Sequence, residues 1–430
     1  MKSELRVAIV AEHASLKFGG EAALPLQYFR VLRARGVPVW LVVHARTRQE
    51  LSALFPDERR ILYVEDTPFH LWVFRLAQRL PDRISNFTAG FAMRLATQRA
   101  QQKIVKRLVG EERVNLVHQP MPVSPKEPTM MYGFGVPVVI GPMNGGIDFP
   151  PAFHKYQNRL ISTLMAIGRG SSHVMNRLMP GKLRSEVLLV ANSRTARSLP
   201  MGTTGKVIEL VENGVDLGLW RGYEGTTTDE LPRPSPSFLF MGRLVAWKAV
   251  DLLLLAFRDL LSRFPRANLI ILGDGVDRAQ LEHTCAGWGL LAKDEFESGK
   301  VFFAGWKSQQ ECAAYLSRAS ALILPSLMEC GGAVVLEAMA ASRAVIATDW
   351  GGPADYIDAS CGILVKPISP EAMVTNLSAA MGKLAESPQL CIDMGKAGRK
   401  KVEDHFDWEV KVDRILEIYT ELALPARASN

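Results

Sequence analysis

What most constrains this chain is a rhythm. Short apolar runs recur at residues 6–10, 37–43, 114–117, 136–140, 188–191 and 208–211. They resume at 238–241, 269–272, 301–304, 321–324, 344–348 and 362–365. The runs are continuous rather than alternating, as in strands buried on both faces, and such strands belong to parallel sheets. Between them lie stretches of helical spacing, such as 22–35, where Leu24, Tyr28, Val31 and Leu32 share a face, and 251–264, 278–287 and 309–319. Parallel strands joined by helices require right-handed crossovers and give a doubly wound α/β layer. One core does not grow to 430 residues, so two such domains are expected. The polar, proline-bearing stretch 222–237 separates the two series and reads as a linker.

Composition narrows the function classes. No window approaches 18 consecutive apolar residues, so no bilayer-spanning helix is expected, and the start lacks the pattern of a secretory leader. Five scattered cysteines show neither metal spacing nor disulfide density, which suits reduced thiols in a cytosol. The net charge of +7 fits an anionic ligand or an anionic membrane surface. Nucleic acid is not expected, because no recognition motif accompanies the charge. Residues 69–110 hold Arg75, Arg79, Arg83, Arg94, Arg99, Lys103, Lys106 and Arg107 interleaved with Phe69, Trp72, Phe74, Phe87 and Phe91. Two readings are equally open: a helical segment lying on anionic lipid, or a helix pair packed on its own domain.

The chemistry concentrates between Leu324 and Ala340. A strand at 321–324 runs into a loop carrying Glu329, then Gly331 and Gly332, then a helix over 334–340 carrying Glu337. Unpaired amides and the positive dipole end make such a helix start a seat for an anion. Arg243 and Lys248 follow the strand at 238–241, in the same series, and two cations at a strand end suit a diphosphate. In the first series the strand-end loops offer His13, the Gly19–Gly20 pair, His118, and Asn144–Gly145–Gly146. A histidine at a strand end is often structural, and paired glycines serve equally for a ligand or a tight turn. Phe18–Gly19–Gly20 is not GxGxxG, which argues against a nicotinamide cofactor. No metal is expected, since neither Asp-x-Asp nor a His/Cys cluster occurs.

MGRLVAWKAVDLLLLAF, ILGDGVDRAQLE, FFAGW, LPSLMECGGAVVLEAMAASRAVIATDWGGPADYI and GILV occur in this order, preceded by ENGVD. Together they resemble the nucleotide-sugar half of glycosyltransferase family 4, the retaining group 1 type. The resemblance implies a GT-B fold: two Rossmann-like domains facing across a cleft, with a C-terminal helix returning to the N-terminal domain. It places an acceptor-side domain at 1–221, joined by 411–424, and a donor-side domain at 238–410. It implies that Arg243 and Lys248 hold the donor diphosphate. Gly331, Gly332, Ala333 and Val334 would cap phosphate or sugar. Glu337 would meet the ribose, Glu329 the transferred sugar, and Trp306 the base, with Gly19 and Gly20 approaching the phosphates. Many members place a histidine where this chain has Gly141–Pro142–Met143–Asn144; Asn144, His118 and His13 are the acceptor-side candidates. The expected reaction moves a sugar from a nucleoside-diphosphate sugar to a hydroxyl of a glycan or lipid-linked glycan. It would serve cell-surface polysaccharide assembly, at the cytoplasmic face of a membrane. A non-catalytic sugar-nucleotide-binding partner and a nucleotide-sugar epimerase are the alternatives.

Overall fold

A computed structural model describes residues 4–18, 20–78, 82–156, 170, 172–220 and 235–423. The chain forms two compact units: Met1–Gly146, Thr163–Glu212 and Trp408–Asn430 make the first, and Ile147–Ser162 and Asn213–Asp407 the second.

In the first unit, β1 (Val7–Val10), β2 (Val39–His44), β3 (Ile61–Val64), β4 (Leu116–Gln119), β5 (Val138–Met143), β6 (Val187–Val190) and β7 (Lys206–Glu209) form one parallel sheet. Their order is β3-β2-β1-β4-β5-β6-β7. The helices α1 (Gly20–Ala34), α2 (Pro68–Ala77) and α3 (Asp82–Glu111) follow β1 and β3. β1, β2, β4 and β5 are buried along their whole length, as the unbroken apolar runs require. β3 is the strand that sequence reading missed, along with the helices Arg48–Leu54, Pro370–Glu386 and Pro388–His405. This strand is four residues at the sheet edge, set between Arg59–Arg60 and Glu65–Asp66, and only its end residues are buried.

The second unit carries β8 (Ser237–Met241), β9 (Asn268–Leu272), β10 (Val301–Gly305), β11 (Ala321–Leu324), β12 (Ala344–Thr348) and β13 (Gly362–Val365). They too are all parallel, in the order β10-β9-β8-β11-β12-β13. Its helices include α4 (Val250–Leu260), α5 (Ala333–Ala340), α6 (Pro370–Glu386) and α7 (Pro388–His405). The fold class expected from the rhythm is therefore present in both units.

The last helix, α8 (Trp408–Ala423), belongs to the first unit, three residues longer at its start than expected. Trp408, Val412, Ile415, Ile418 and Tyr419 sit in the same core cluster as Leu24, Tyr28 and Leu32 of α1. Arg35 reinforces the contact through Glu409 and Asp413. Beneath it, Lys411 is fully enclosed and donates to the Val211 carbonyl.

Two boundaries are corrected. The first unit ends at Glu212 rather than 221. Val215 N–H bonds the Phe406 carbonyl at 2.8 Å and Asn213 reaches the Tyr356 hydroxyl at 3.1 Å, so residues 213–216 of the ENGVD segment pack in the second unit while its Glu212 stays in the first. The stretch from Ile147 also joins that unit, where the Trp350 indole donates to the Asp148 carbonyl at 2.8 Å. Most of the expected linker lies outside the described residues; its last residue, Ser237, already begins β8.

Candidate functional site

The second sheet reverses its strand order between β8 and β11, which are neighbours although three crossovers separate them in sequence. In open α/β sheets, ligands bind beyond the carboxyl ends of the strands at such a reversal. The loops after these two strands carry the charged residues singled out from sequence. After β8, Gly242 precedes Arg243, and a single turn at Ala246–Lys248 leads to Ala249 in the left-handed region, φ +50°, and into α4. After β11, the 325–332 loop leads into α5. The Leu327 N–H donates to the Trp247 carbonyl at 2.8 Å and ties the two loops together.

That tie places Lys248 against Glu329 in an ion pair, the side chains only 13% and 17% exposed. Arg243 is exposed, its guanidinium 6.0 Å from the centre of the Trp247 ring, with no carboxylate partner among the described residues. Gly332 caps α5 with φ +79° and no side-chain cap, leaving the amides of the first turn unclaimed by a capping side chain. A Cβ on Gly332 would lie 3.1 Å from Glu329 Cγ and 3.4 Å from Leu324 Cδ2. The positive φ favours glycine here, and a Cβ would also require the Glu329 stem to give by a few tenths of an ångström. Ala333 and Val334, half-buried, supply the following amides, and Gly331 is buried.

Glu337, on the second turn of α5, has no side-chain hydrogen bond or ion pair among the described residues. Burial pushes its carboxyl up to about 7, because no cation offsets its desolvation. Trp306, at the end of β10, is 75% exposed. Behind these residues, Gly273 N–H bonds the Gly305 carbonyl at 2.8 Å, and a Cβ on Gly273 would fall 1.9 Å from the Gly242 carbonyl. The ends of β8, β9 and β10 thus approach one another as bare backbone.

Sequence reading gave no role to Gly351 and Gly352, which hold the acidic loop. Gly352 N–H bonds the Glu329 carbonyl at 2.9 Å. A Cβ there would meet the Cys330 and Gly331 carbonyls at 2.1 and 2.3 Å. The glycine pair directly after β12 was the available signal, but its contact lies some twenty residues away in the chain.

In the first unit most candidates turn out to be structural, and this corrects the expectation. His118 is fully buried, its Nε2 2.6 Å from the Gly141 carbonyl and its Nδ1 2.6 Å from the Tyr419 hydroxyl. A carbonyl only accepts, so Nε2 holds the proton and Nδ1 accepts from the tyrosine. Burial lowers this imidazole to about 4 despite the Gly141 bond, and both nitrogens are committed to the core. Asn144 is 4% exposed; its NH2 donates to Glu212 at 2.8 Å and its oxygen accepts from Thr195 at 3.4 Å. Gly145 and Gly146 admit Pro125 and Ser198 rather than open space, with Cβ contacts of 2.6 and 2.2 Å. Gly20 starts α1 with nothing within 4 Å of a Cβ; Gly19 lies outside the described residues. His13 is half-buried beside Glu12, Nε2 to Oε1 3.6 Å. Burial first, then Arg46, His44 and Arg94, lower it to about 4, so it is neutral at pH 7. Among the described residues no three His, Cys, Asp or Glu side chains gather as a metal site.

Residues 229–401 match the family described as glycosyl transferases group 1. This segment is a group 1 glycosyl transferase domain. The D-inositol 3-phosphate glycosyltransferase of Streptomyces avermitilis is 31% identical over 230 residues, 50% of this chain and 47% of that protein. The alpha-maltose-1-phosphate synthase of Mycolicibacterium smegmatis is 29% identical over 227 residues, 50% and 57% of the two chains. The chain thus spans about half the length of the curated relatives it matches. Among solved structures, sucrose-phosphate synthase from Thermosynechococcus elongatus superposes with a TM-score of 0.64 at 18% identity, covering 97% of this chain and 99% of that one. HepE from Anabaena, solved with UDP and glucose, gives 0.62 at 13% identity, covering 97% and 100%. At these identities the likeness establishes the fold, which is GT-B.

Within the group 1 glycosyl transferase domain, the geometry has a definite chemical capacity. Arg243, Lys248 and the α5 amides present positive charge along one edge, and Glu329 and Glu337 present acceptors for hydroxyls. That combination suits a ligand that is anionic at its centre and polyhydroxylated at both ends.

Proposed function

We propose that this protein is a retaining glycosyltransferase. It takes a sugar from a nucleoside-diphosphate sugar and transfers it to a hydroxyl of a glycan or lipid-linked glycan in cell-surface polysaccharide assembly. The observation that carries this reading is the Lys248–Glu329 pair, seated with Gly332 at the strand-order reversal of the glycosyl transferase domain. Lys248 leaves Glu329 for the donor diphosphate, and Arg243 joins it. Glu329, already within reach of the same locus, accepts hydroxyls of the transferred sugar. Glu337 accepts from the ribose, and Trp306 offers its exposed face to the base.

The acceptor hydroxyl attacks the anomeric carbon on the face from which the diphosphate departs. The C–O bond to the diphosphate breaks as the new glycosidic bond forms, and the hydroxyl proton passes to the leaving phosphate. Negative charge growing on that phosphate is met by Arg243, Lys248 and the amides of Ala333 and Val334, so no metal is invoked. Removing one donor aimed at developing charge costs about 2.7–4 kcal/mol of barrier. Arg243→Ala and Lys248→Ala are each expected to lower kcat on the order of a hundredfold or more. Near-wild-type turnover in both variants rules the assignment out.

A second reading, a non-catalytic sugar-nucleotide-binding partner, draws on one observation: His118 and Asn144 are consumed by the core. Slow hydrolysis of donor by the isolated protein, lost in Lys248→Ala, decides for the enzyme. Conversion of donor to its epimer without acceptor would instead identify an epimerase.

A further inference from the structure

The first sheet also reverses its order, between β1 and β4. A cavity of about 220 Å³ opens there, walled entirely by the first unit. Glu12 follows β1, Gln119 ends β4, Glu21 lies on the first turn of α1, and Gln98 and Gln101 come from α3. The space is far larger than a single water requires.

The walls carry unspent hydrogen-bonding capacity. Gln119 is 2% exposed; its oxygen accepts from Thr129 at 2.5 Å, and its NH2 has no partner among the described residues. Gln101, 1% exposed, donates to the Ala11 and Val42 carbonyls at 2.6 and 3.4 Å, and its oxygen has no partner among the described residues. Gln98, 6% exposed, accepts from the Met130 N–H at 2.9 Å, and its NH2 has no partner among the described residues. These three amides line the cavity, where a ligand or water completes their hydrogen bonds. Glu21 has no hydrogen bond or ion pair among the described residues, and the only ion-pair neighbour of Glu12 is the neutral His13. Burial raises Glu12, with Arg94 opposing and Glu127 adding to the shift.

The charge balance restricts the occupant. Arg94 is bound to Glu127 at 2.8 Å, so the one cation of the wall is already neutralised and two carboxylates remain over. An anion has no free partner here. A hydroxyl donates to a carboxylate and accepts from an amide at once, so a polyol matches both kinds of group. Met121 and Pro122 supply an apolar patch for the face of a ring.

We propose that this cavity seats an uncharged sugar ring of the acceptor, held by Glu12, Glu21 and the three glutamine amides, and that it rejects rings bearing phosphate. The assignment rests on the glycosyltransferase reading above. The test is saturation-transfer NMR on the full chain with methyl glycosides of common hexoses, with the corresponding 2-amino sugars and with the corresponding 6-phosphates. At least one glycoside is expected to receive saturation and the phosphates none, with affinity falling tenfold or more in Glu12→Gln and Glu21→Gln. Both variants are isosteric, and an unchanged melting temperature shows that they fold. Equal binding of the phosphates, preference for an amino sugar, no signal from any glycoside, or indifference to both variants overturns the proposal. Thermal shift with a panel of nucleotide sugars is run alongside. Failure there strikes the glycosyltransferase reading, whereas donor binding with a silent cavity strikes this one alone.

Discussion

At the scale of single residues, the candidate site beyond β8 and β11 is a set of groups tied to one another. Lys248 and Glu329 neutralise each other in a half-dry setting, and Gly332 lets the Glu329 stem pass close to the start of α5. Gly332→Ala forces a left-handed alanine, about 1–2 kcal/mol, and pushes the Glu329 stem. Nucleotide-sugar affinity is expected to fall about tenfold or more, measured by calorimetry. Glu337 makes a pH prediction. The folded protein holds its proton up to about 7, whereas an unstrained glutamate releases it near 4.5. Stability associated with that proton is therefore lost as pH rises from about 4.5 through 7. Glu337→Gln is expected to stabilise the free protein at pH 8 by on the order of 2 kcal/mol, allowing for partial solvent contact, and to change nothing at pH 4. A ribose diol favours the ionised form, so donor binding should release a proton in wild type and not in the variant. These carboxylates and cations were legible in the sequence because their spacing follows local strand–loop–helix geometry. His118 and Asn144 misled because their partners, Tyr419 and Glu212, are far away in the chain.

At the scale of elements, the basic, aromatic stretch divides into two helices with different surroundings. α3 packs Val105 and Leu108 under β1 and β2, as the self-packing reading expects. α2 buries His70, Val73 and Ala77 only, the last two against Ala89 and Met93, and leaves Phe69, Leu71, Trp72, Phe74 and Leu76 exposed. Five large apolar side chains stay exposed on this ten-residue helix, and Arg99, Lys103, Lys106 and Arg107 of α3 are exposed as well, so the lipid-facing expectation for α2 can be tested directly. None of the described helices is long and apolar enough to cross a bilayer. Trp72→Glu with Phe74→Glu is expected to reduce flotation with anionic vesicles at low salt by tenfold or more while donor binding stays unchanged. Equal flotation of the double variant would remove α2 from the contact. Sequence alone left this element undecided, since period and charge do not say which face another helix covers.

At the scale of the whole molecule, the chain ends in the unit where it began. α8 inserts five large side chains into the first core, each contributing roughly 1.5–3 kcal/mol by burial. A chain terminated after Asp407 therefore loses on the order of 10 kcal/mol, comparable to the net stability of a domain. Calorimetry is expected to show the first unit's transition abolished, with the second unit still melting and still shifted by nucleotide sugar. Retention of both transitions would contradict the role given to α8. The sequence by itself determined the two parallel sheets, since continuous apolar runs have to be buried on both faces. It also determined the charged loops at β8 and β11, whose residues are set by local turns. The tertiary structure alone decided which groups those loops bring together, and that Gly351 and Gly352 clasp the acidic loop. It likewise decided that the ENGVD segment divides after Glu212, its last four residues joining the second unit, and that three glutamines share a cavity with Glu12 and Glu21. Each of these depends on strands far apart in the chain becoming neighbours, and no local spacing encodes that adjacency.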